Sequence, residues 1–292
     1  MSERAIYFIR HKFTGLKEAA PSFEANRYIG FHFADEFHER KEDYKALHDG
    51  YEKGFGRAYD AFHNIGHSGA IVVFEYNNPN HFYVATVPAN QKIQPFHFTM
   101  ADEEKLIYKI LQYGDVRQFN YASHPVLLAL RPPYSTVCQP GDHFRRIIKH
   151  LYLGEPLEKN VNLLHPKILE QLCENYLRSD FVDSKIKILY TTMKTGKTLP
   201  IVDIVGRSED GHKLLIQITH HSGSQAAEKA QKLVDIQREL ENTISIMFSG
   251  EKSLSIDGLD YHFTTHDVFS KFQNSPVTWH QTMLNDMLGA FS

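Results

Sequence analysis

Cysteine and tryptophan are scarce in this 292-residue chain, which holds two of the first, Cys138 and Cys173, and one of the second, Trp279. Two thiols exclude a disulfide-stapled scaffold and a cysteine-based zinc finger, and they fit a reducing, cytoplasmic compartment. There is no run of about eighteen apolar residues, so no transmembrane helix and no membrane partner is expected. The opening stretch MSERAIYFIRHKF has too short an apolar segment to read as a secretory signal. Nor is there a block of lysine and arginine, and the formal net charge is -3. That argues against a protein that coats nucleic acid through bulk charge, while leaving room for a local basic groove.

What is present is an ordinary globular composition, 42% apolar and 23% charged, long enough for one large or two ordinary domains. The polar stretch GEPLEKNVN at 154–162 separates two different patterns, so a boundary is placed there, with one domain over 1–155 and a second over 162–292. The fold class is α+β: an N-terminal β-rich, barrel-like domain, then a C-terminal α/β domain with a mixed central sheet.

In the first domain, 5–10 (AIYFIR), 28–33 (YIGFHF), 71–76 and 82–87 read as strands, the last two joined by an Asn/Pro-rich turn. Apolar residues at helical spacing mark one or two helices within 39–65. His63 and His67 would share a helical face, but Gly66 is expected to interrupt that helix, and ordinary histidines are the simpler reading. The TGKT at 195–198 lacks the opening glycine and preceding strand of a P-loop and reads as a hairpin turn.

The second domain is organised around the hairpin 199–221, LPIVDIVGRSEDGHKLLIQITHH. An apolar run ends at Gly206, a polar turn follows, and a β-rich run returns over 213–219. Gln217 and Thr219, two residues apart, fall on one strand face. Asp203 stands inside an otherwise apolar strand, where a carboxylate needs a partner or a metal. Two readings stay open: a turn cap or pair with Lys213, or one half of a two-strand Mg²⁺ site. Before the hairpin, 164–178 (LHPKILEQLCENYLR) is a helix with Pro166 in its first turn. Its stripe is Leu169, Leu172, Cys173, Tyr176 and Leu177, with Glu170 beside it. A strand over 185–191 comes next. After the hairpin come a helix over 224–241, strands over 243–249 and 259–265, and a terminal helix over 276–291. In that last helix Trp279, Met283, Met287 and Phe291 share a stripe that offers either an intramolecular core or a homodimer face.

The order α-β-β-β-α-β, with Glu170 on the helix, Asp203 on the middle strand and Gln217-x-Thr219 on the next, resembles the PD-(D/E)xK nuclease superfamily, most nearly its Mrr-like branch. The resemblance covers residues 161–250. It implies that Glu170 and Asp203 hold Mg²⁺ or Mn²⁺, with Gln217 at the E/Q position orienting a ligand water. The family's lysine, which positions the attacking water and stabilises phosphorane charge, is replaced here by Thr219. Lys213 shares that strand face but lies about 20 Å away at ~3.3 Å per residue. Lys229 on the following helix is the better substitute, with His221 as a candidate base. A basic surface is expected at Lys185, Lys187, Lys194 and Lys197.

The N-terminal strand order is similar to EVE/PUA-like barrels, which hold a flipped, modified base. That likeness makes Tyr28, Phe31, Phe33, Arg131 and Tyr134 the candidate pocket. Together the resemblances imply a nuclease acting on nucleic acid, DNA in preference to RNA, in a modification-dependent defensive role. The alternative is an inactive, nuclease-like nucleic-acid-binding or regulatory protein that has lost its lysine.

Overall fold

The computed structural model describes residues 4–10, 16–32, 37–38, 53–76, 80–102, 105–132, 137–194 and 201–290. The chain divides into two compact units between Leu157 and Glu158. The architecture is mixed α+β, and among the described residues no helix is long and apolar enough to cross a membrane.

The first unit carries a five-stranded mixed sheet in the order β7-β4-β3-β1-β8. Its strands are β1 (Ile6–Arg10), β3 (Ala70–Glu75), β4 (His81–Val87), β7 (Val116–Asn120) and β8 (Val137–Cys138). Among its described residues only β1 and β3 pair in parallel. A separate antiparallel sheet joins β2 (Tyr28–His32), β6 (Lys105–Gln112) and β5 (Gln94–Thr99). The barrel-like expectation is therefore corrected: the described strands form two sheets and close no barrel. Helices α1 (Leu16–Asn26), α2 (Lys53–Ser68), α3 (Pro125–Leu130) and α4 (Asp142–Leu153) complete the unit. Helix α2 runs through Gly66, against the expected break; the glycine serves close packing instead, since a Cβ there would meet the Gln91 carbonyl oxygen at 2.7 Å. Phe23, Phe31, Phe62 and Phe74 are all buried in the core of this unit.

The second unit is built on a mixed sheet in the order β13-β12-β11-β10-β9. The strands are β9 (Ile188–Lys194), β10 (Ile204–Ser208), β11 (Lys213–Ile218), β12 (Thr243–Ser249) and β13 (Tyr261–Thr264). The β9, β10 and β11 ladders are antiparallel, and β11, β12 and β13 run parallel. Helices α5 (Pro166–Arg178) and α6 (Gly223–Arg238) flank it, followed by α7 (Thr265–Gln273) and α8 (Thr278–Leu288). On β12, Met247 packs on Ala226 and Ala230 of α6, whereas Phe248 meets Tyr176 of α5. Consecutive strand residues point to opposite faces, so the two helices cover opposite sides of the sheet.

The hairpin turn lies later than its sequence suggests. Gly206 sits inside β10 at a register shift, where a Cβ would come 3.0 Å from the Tyr190 carbonyl oxygen. The turn falls at Gly211, whose φ of 86° suits glycine. The expected terminal helix begins later as well, and its stripe divides: Met287 is buried with Leu284 and Leu288, while Trp279 is 56% exposed. Phe291 lies outside the described residues.

The carboxyl ends of β11 and β12 are fixed by close backbone contact. The Gly250 N–H donates to the His221 carbonyl oxygen at 3.0 Å, and a Cβ on Gly250 would stand 2.6 Å from the His220 carbonyl oxygen. Gly250→Ala should therefore displace the 219–221 segment and cost on the order of 1–3 kcal/mol. Urea unfolding of the two proteins measures this, and an unchanged midpoint would show that the loop yields freely.

Candidate active site

The antiparallel register pairs Ile204 with Ile216, which sets Asp203 opposite Gln217. Facing residues in such a pair project to the same side, and Thr219, two beyond Gln217, joins them. Asp203 stands just before β10, at the sheet end where β11 finishes. Ligand sites in open α/β sheets form at the carboxyl ends of the parallel strands, and this is that end of β11 and β12.

Backbone and side-chain bonds hold Asp203 in place. Its N–H donates to the Ile216 carbonyl oxygen at 2.9 Å. Its Oδ2 accepts the Ile218 N–H at 2.7 Å and the Gln217 Nε2–H at 2.8 Å. Pairing with Lys213 is overturned, because Lys213 stands opposite Arg207 at the turn end of the hairpin. Burial pushes the Asp203 carboxyl above the ordinary aspartate value, opposed by the Ile218 N–H and by the Lys229 ammonium.

Lys229 rises from α6 one turn before Leu233, which packs with Leu215 and Val202. This packing fixes the helix against the face that carries Asp203, Gln217 and Thr219. The Lys229 Nζ donates to Thr219 Oγ1 at 3.3 Å. A threonine on the strand is thus met by an ammonium from the helix. The backbone N–H of His221 donates to the same oxygen at 3.2 Å, and the His221 side chain is exposed.

Glu170 is half-buried on α5. Both Asp203 and Glu170 act on Cys173, whose thiol is pushed up first by burial and then by these two carboxylates. The next carboxylate along α5, Glu174, is committed to structure. It accepts from Arg178 Nη2 at 2.9 Å and from Thr191 Oγ1 at 2.8 Å.

The oxygen donors beside Asp203 are of the type a hard divalent ion takes. Gln217 Oε1 is buried and has no hydrogen-bond partner among the described residues, so an acceptor oxygen is left over beside Asp203. Mg²⁺ takes oxygen ligands, commonly one or two carboxylates completed by water and substrate phosphate. Asp203 and Gln217 are donors of that kind on one face of the sheet, whereas Glu170, on α5, is linked to Asp203 through Cys173, on which both carboxylates act. Among the described residues no three His, Cys, Asp or Glu side chains gather as a group that could hold a metal ion.

Sequence reasoning missed His220. Its Nε2 stands 3.1 Å from the Leu164 carbonyl oxygen, just before the N-cap of α5, and burial lowers its pKa. It ties the end of β11 to the helix carrying Glu170. Its signal in the sequence is the adjacent pair His220-His221.

The expected base pocket in the first unit is not assembled by its described members. Phe31 is 1% exposed and packs edge-to-face on Phe62 at 5.1 Å, closed to any ligand. Arg131 Nη1 holds both Glu75 carboxylate oxygens, at 2.9 and 3.0 Å, leaving it a partner in a buried pair. Tyr28 is half-buried, edge-on to Phe96 at 5.6 Å. Phe33 and Tyr134 lie outside the described residues. The expected basic surface is also reduced: Lys187 donates to Asp180 at 2.6 Å, and the Lys185 ammonium lies 6.0 Å from the Tyr261 ring centroid. The side chain of Lys194 and the whole of Lys197 fall outside the described residues. His63 and His67 stack on one helix face with ring centroids 6.2 Å apart, with no third ligand beside them among the described residues.

No protein-family model matches the chain, and comparison with curated proteins finds no match. Among solved structures the chain is similar to a chain of the EndoMS-dsDNA2 complex, with a TM-score of 0.25 and 11% identity, covering 68% of this chain and 65% of that one. It therefore spans under two thirds of that EndoMS chain. It is also similar to MspJI restriction endonuclease in complex with a 27-mer oligonucleotide, with a TM-score of 0.25 and 10% identity, covering 99% and 81% of the two chains.

Proposed function

We propose that the second unit is a metal-dependent phosphodiesterase acting on nucleic acid, DNA in preference to RNA. The hydrogen bond from Lys229 to Thr219 carries this reading. It returns an ammonium to the strand position where the PD-(D/E)xK arrangement needs one, beside a buried aspartate and an unsatisfied amide oxygen. An inert scaffold gains nothing from a desolvated carboxylate without a committed cationic partner.

Asp203, Glu170 and the Gln217 amide oxygen would hold the ion. When bound, it supplies Lewis-acid stabilisation of charge on the phosphoryl oxygens and a more acidic water. Asp203 is oriented for this by the Ile218 N–H, which fixes Oδ2. Lys229 gives one of its three N–H donors to Thr219, leaving two to orient the attacking water and to meet charge developing on the phosphate. Thr219, neutral and short, acts as the anchor for that ammonium. His221, exposed just beyond the end of β11, is the candidate to accept a proton.

The test is cleavage of supercoiled plasmid and of linear DNA carrying modified and unmodified cytosine, in Mg²⁺, in Mn²⁺ and in EDTA. Cutting that requires the ion supports the reading. Intact DNA under every metal and substrate condition would establish the non-cutting scaffold instead.

A further inference from the structure

Strand β13 ends the sheet of the second unit, so one of its edges pairs with β12 and the other faces outward. An open cleft of about 520 Å³ is lined by three of its consecutive residues, His262, Phe263 and Thr264. Consecutive strand side chains point to opposite faces, so a cleft that touches all three follows the outer edge of the strand. Asp267, Ser270 and Lys271 of α7, with Asn274 at its C-cap, also line it, at i, i+3, i+4 and i+7 on one helix face. Lys252, beyond the end of β12, and Tyr176 of α5 line it as well.

Neither ammonium group in this cleft has a carboxylate partner among the described residues. Lys271 Nζ donates to the Tyr176 hydroxyl at 3.1 Å and lies 5.4 Å from the centroid of that ring. Lys252 is exposed, and the neighbouring Glu251 accepts instead from the backbone N–H groups of Gly223 and Lys252. Burial lowers the His262 pKa, so this ring adds no charge at neutral pH. Two ammonium groups and one exposed carboxylate, Asp267, thus stand beside amide and hydroxyl side chains.

We infer that this cleft binds an unpaired nucleotide of a nucleic-acid strand, with its phosphate on Lys252 and Lys271 and its base edge on Asp267 and Asn274. Phosphate oxygens take the two ammonium groups. Watson–Crick edges present amino donors and ring acceptors that a carboxylate and an amide can read, and in a duplex those edges are already paired. An acidic peptide would satisfy the lysines but bring its carboxylates against Asp267, which disfavours it. Phe263 is already stacked on Phe248 at 5.3 Å and on Tyr261 at 6.3 Å, so charge and hydrogen bonding outweigh base stacking here, and binding is salt-sensitive. Ile218, Phe248 and Phe263 stand in register across β11, β12 and β13. The Ile218 N–H donates to Asp203, and two strand spacings, about 10 Å, separate it from the edge strand. One DNA strand rises that far in about three nucleotides. The inference rests on the nuclease reading only in choosing nucleic acid; the cleft and its groups are independent of Asp203.

The experiment measures binding without cutting. The full-length protein in EDTA is titrated onto a fluorescent 12-nucleotide single strand of mixed sequence, and onto the same strand annealed to its complement, by anisotropy between 50 and 300 mM salt. Lys252→Gln/Lys271→Met is compared with wild type, and Lys252→Arg/Lys271→Arg serves as the charge-conserving variant. The neutral pair should weaken single-strand binding by about tenfold and lower its salt slope by about 1.4, roughly 0.7 for each lost phosphate contact, while duplex binding stays unchanged. The conservative pair should retain single-strand affinity and slope, which separates lost charge from lost folding. Equal single-strand affinity and slope for wild type and the neutral pair would overturn the inference, and so would an equal loss with the duplex. Displacement of the strand by dAMP as effective as by unlabelled 12-mer, at equal nucleotide concentration, would overturn it in favour of a free nucleotide, and equal displacement by polyglutamate in favour of a peptide groove. Asp203→Asn should bind as wild type does in this assay. Unaltered single-strand binding in the neutral pair with intact cleavage therefore strikes this inference alone, and the expected binding loss without any cleavage by wild type strikes the nuclease reading alone.

Discussion

Asp203→Asn should reduce metal-dependent cleavage by on the order of a thousandfold or more while leaving the fold intact. The asparagine Oδ1 can still accept the Ile218 N–H and the Gln217 amide that Asp203 Oδ2 accepts now, so the strand end keeps its bonds. What is lost is the charge. Burial raises the Asp203 pKa, so the native protein binds this proton more tightly than the unfolded chain does. Stability then falls as pH rises through the window between the unfolded and the raised native pKa, and the full penalty is present above it. The metal-free asparagine variant should therefore be at least as stable as wild type at neutral pH, and its pH dependence of melting should be flatter in that window. Metal affinity of the wild type has the opposite sense, weakening as pH falls and the proton competes for the carboxylate. Thermal melts across pH 4–8, with single-turnover cleavage, measure both. A variant that loses activity only because it melts would refute the assignment of Asp203 as a ligand.

Lys229→Met should lower the single-turnover cleavage rate by about 10²–10³-fold, the usual cost of removing one transition-state donor. Metal binding should survive, since Lys229 contributes no oxygen. The more searching variant is Thr219→Lys/Lys229→Met, which moves the ammonium from the helix back to the strand. Thr219 is 6% exposed, and its hydroxyl now takes the Lys229 bond. The ammonium of the longer side chain at 219 would stand in place of the Lys229 ammonium, while methionine at 229 keeps most of the packing of the lysine stem. Recovery of at least about tenfold over Lys229→Met would show that the ammonium, and not the methylene packing of residue 229, is what the reaction uses. No recovery, in a variant that melts like wild type, would assign Lys229 to structure.

The second unit was the more legible of the two because its elements are long and periodic. The stripe on α5, the β-rich run of β11 and the apolar run of β12 each declare themselves in sequence. Together they fix Asp203, Gln217, Thr219 and Lys229 near one sheet end. The hairpin turn reads too early in the sequence because Gly206 looks like punctuation, whereas it lets β10 approach the Tyr190 carbonyl at a register shift. Bulge glycines and turn glycines look alike in one sequence.

In the first unit, alternating aromatics could not say which strand face meets water. Phe31 belongs to the core and Arg131 to the buried Glu75 carboxylate, neither of which a single sequence reveals. Helices α1 and α4 and strand β5 were not foreseen. In α4 the basic residues dilute the apolar stripe, and in α1 Pro21 reads as a breaker. The two sheets of this unit also give no barrel, because β2 pairs with β6 and not with β1.

The measurement that bears most directly on the central claim is calorimetric titration of Mn²⁺ into the Lys229→Met protein at pH 7.5, alone and with a saturating oligonucleotide that this variant leaves uncut. The account predicts one divalent ion per chain, bound more tightly with DNA present because substrate phosphate completes its coordination. It also predicts loss of that ion when Asp203→Asn or Glu170→Gln is added. Absence of binding in both titrations, or binding that Asp203→Asn leaves unchanged, would contradict it and return the hairpin to a purely structural role.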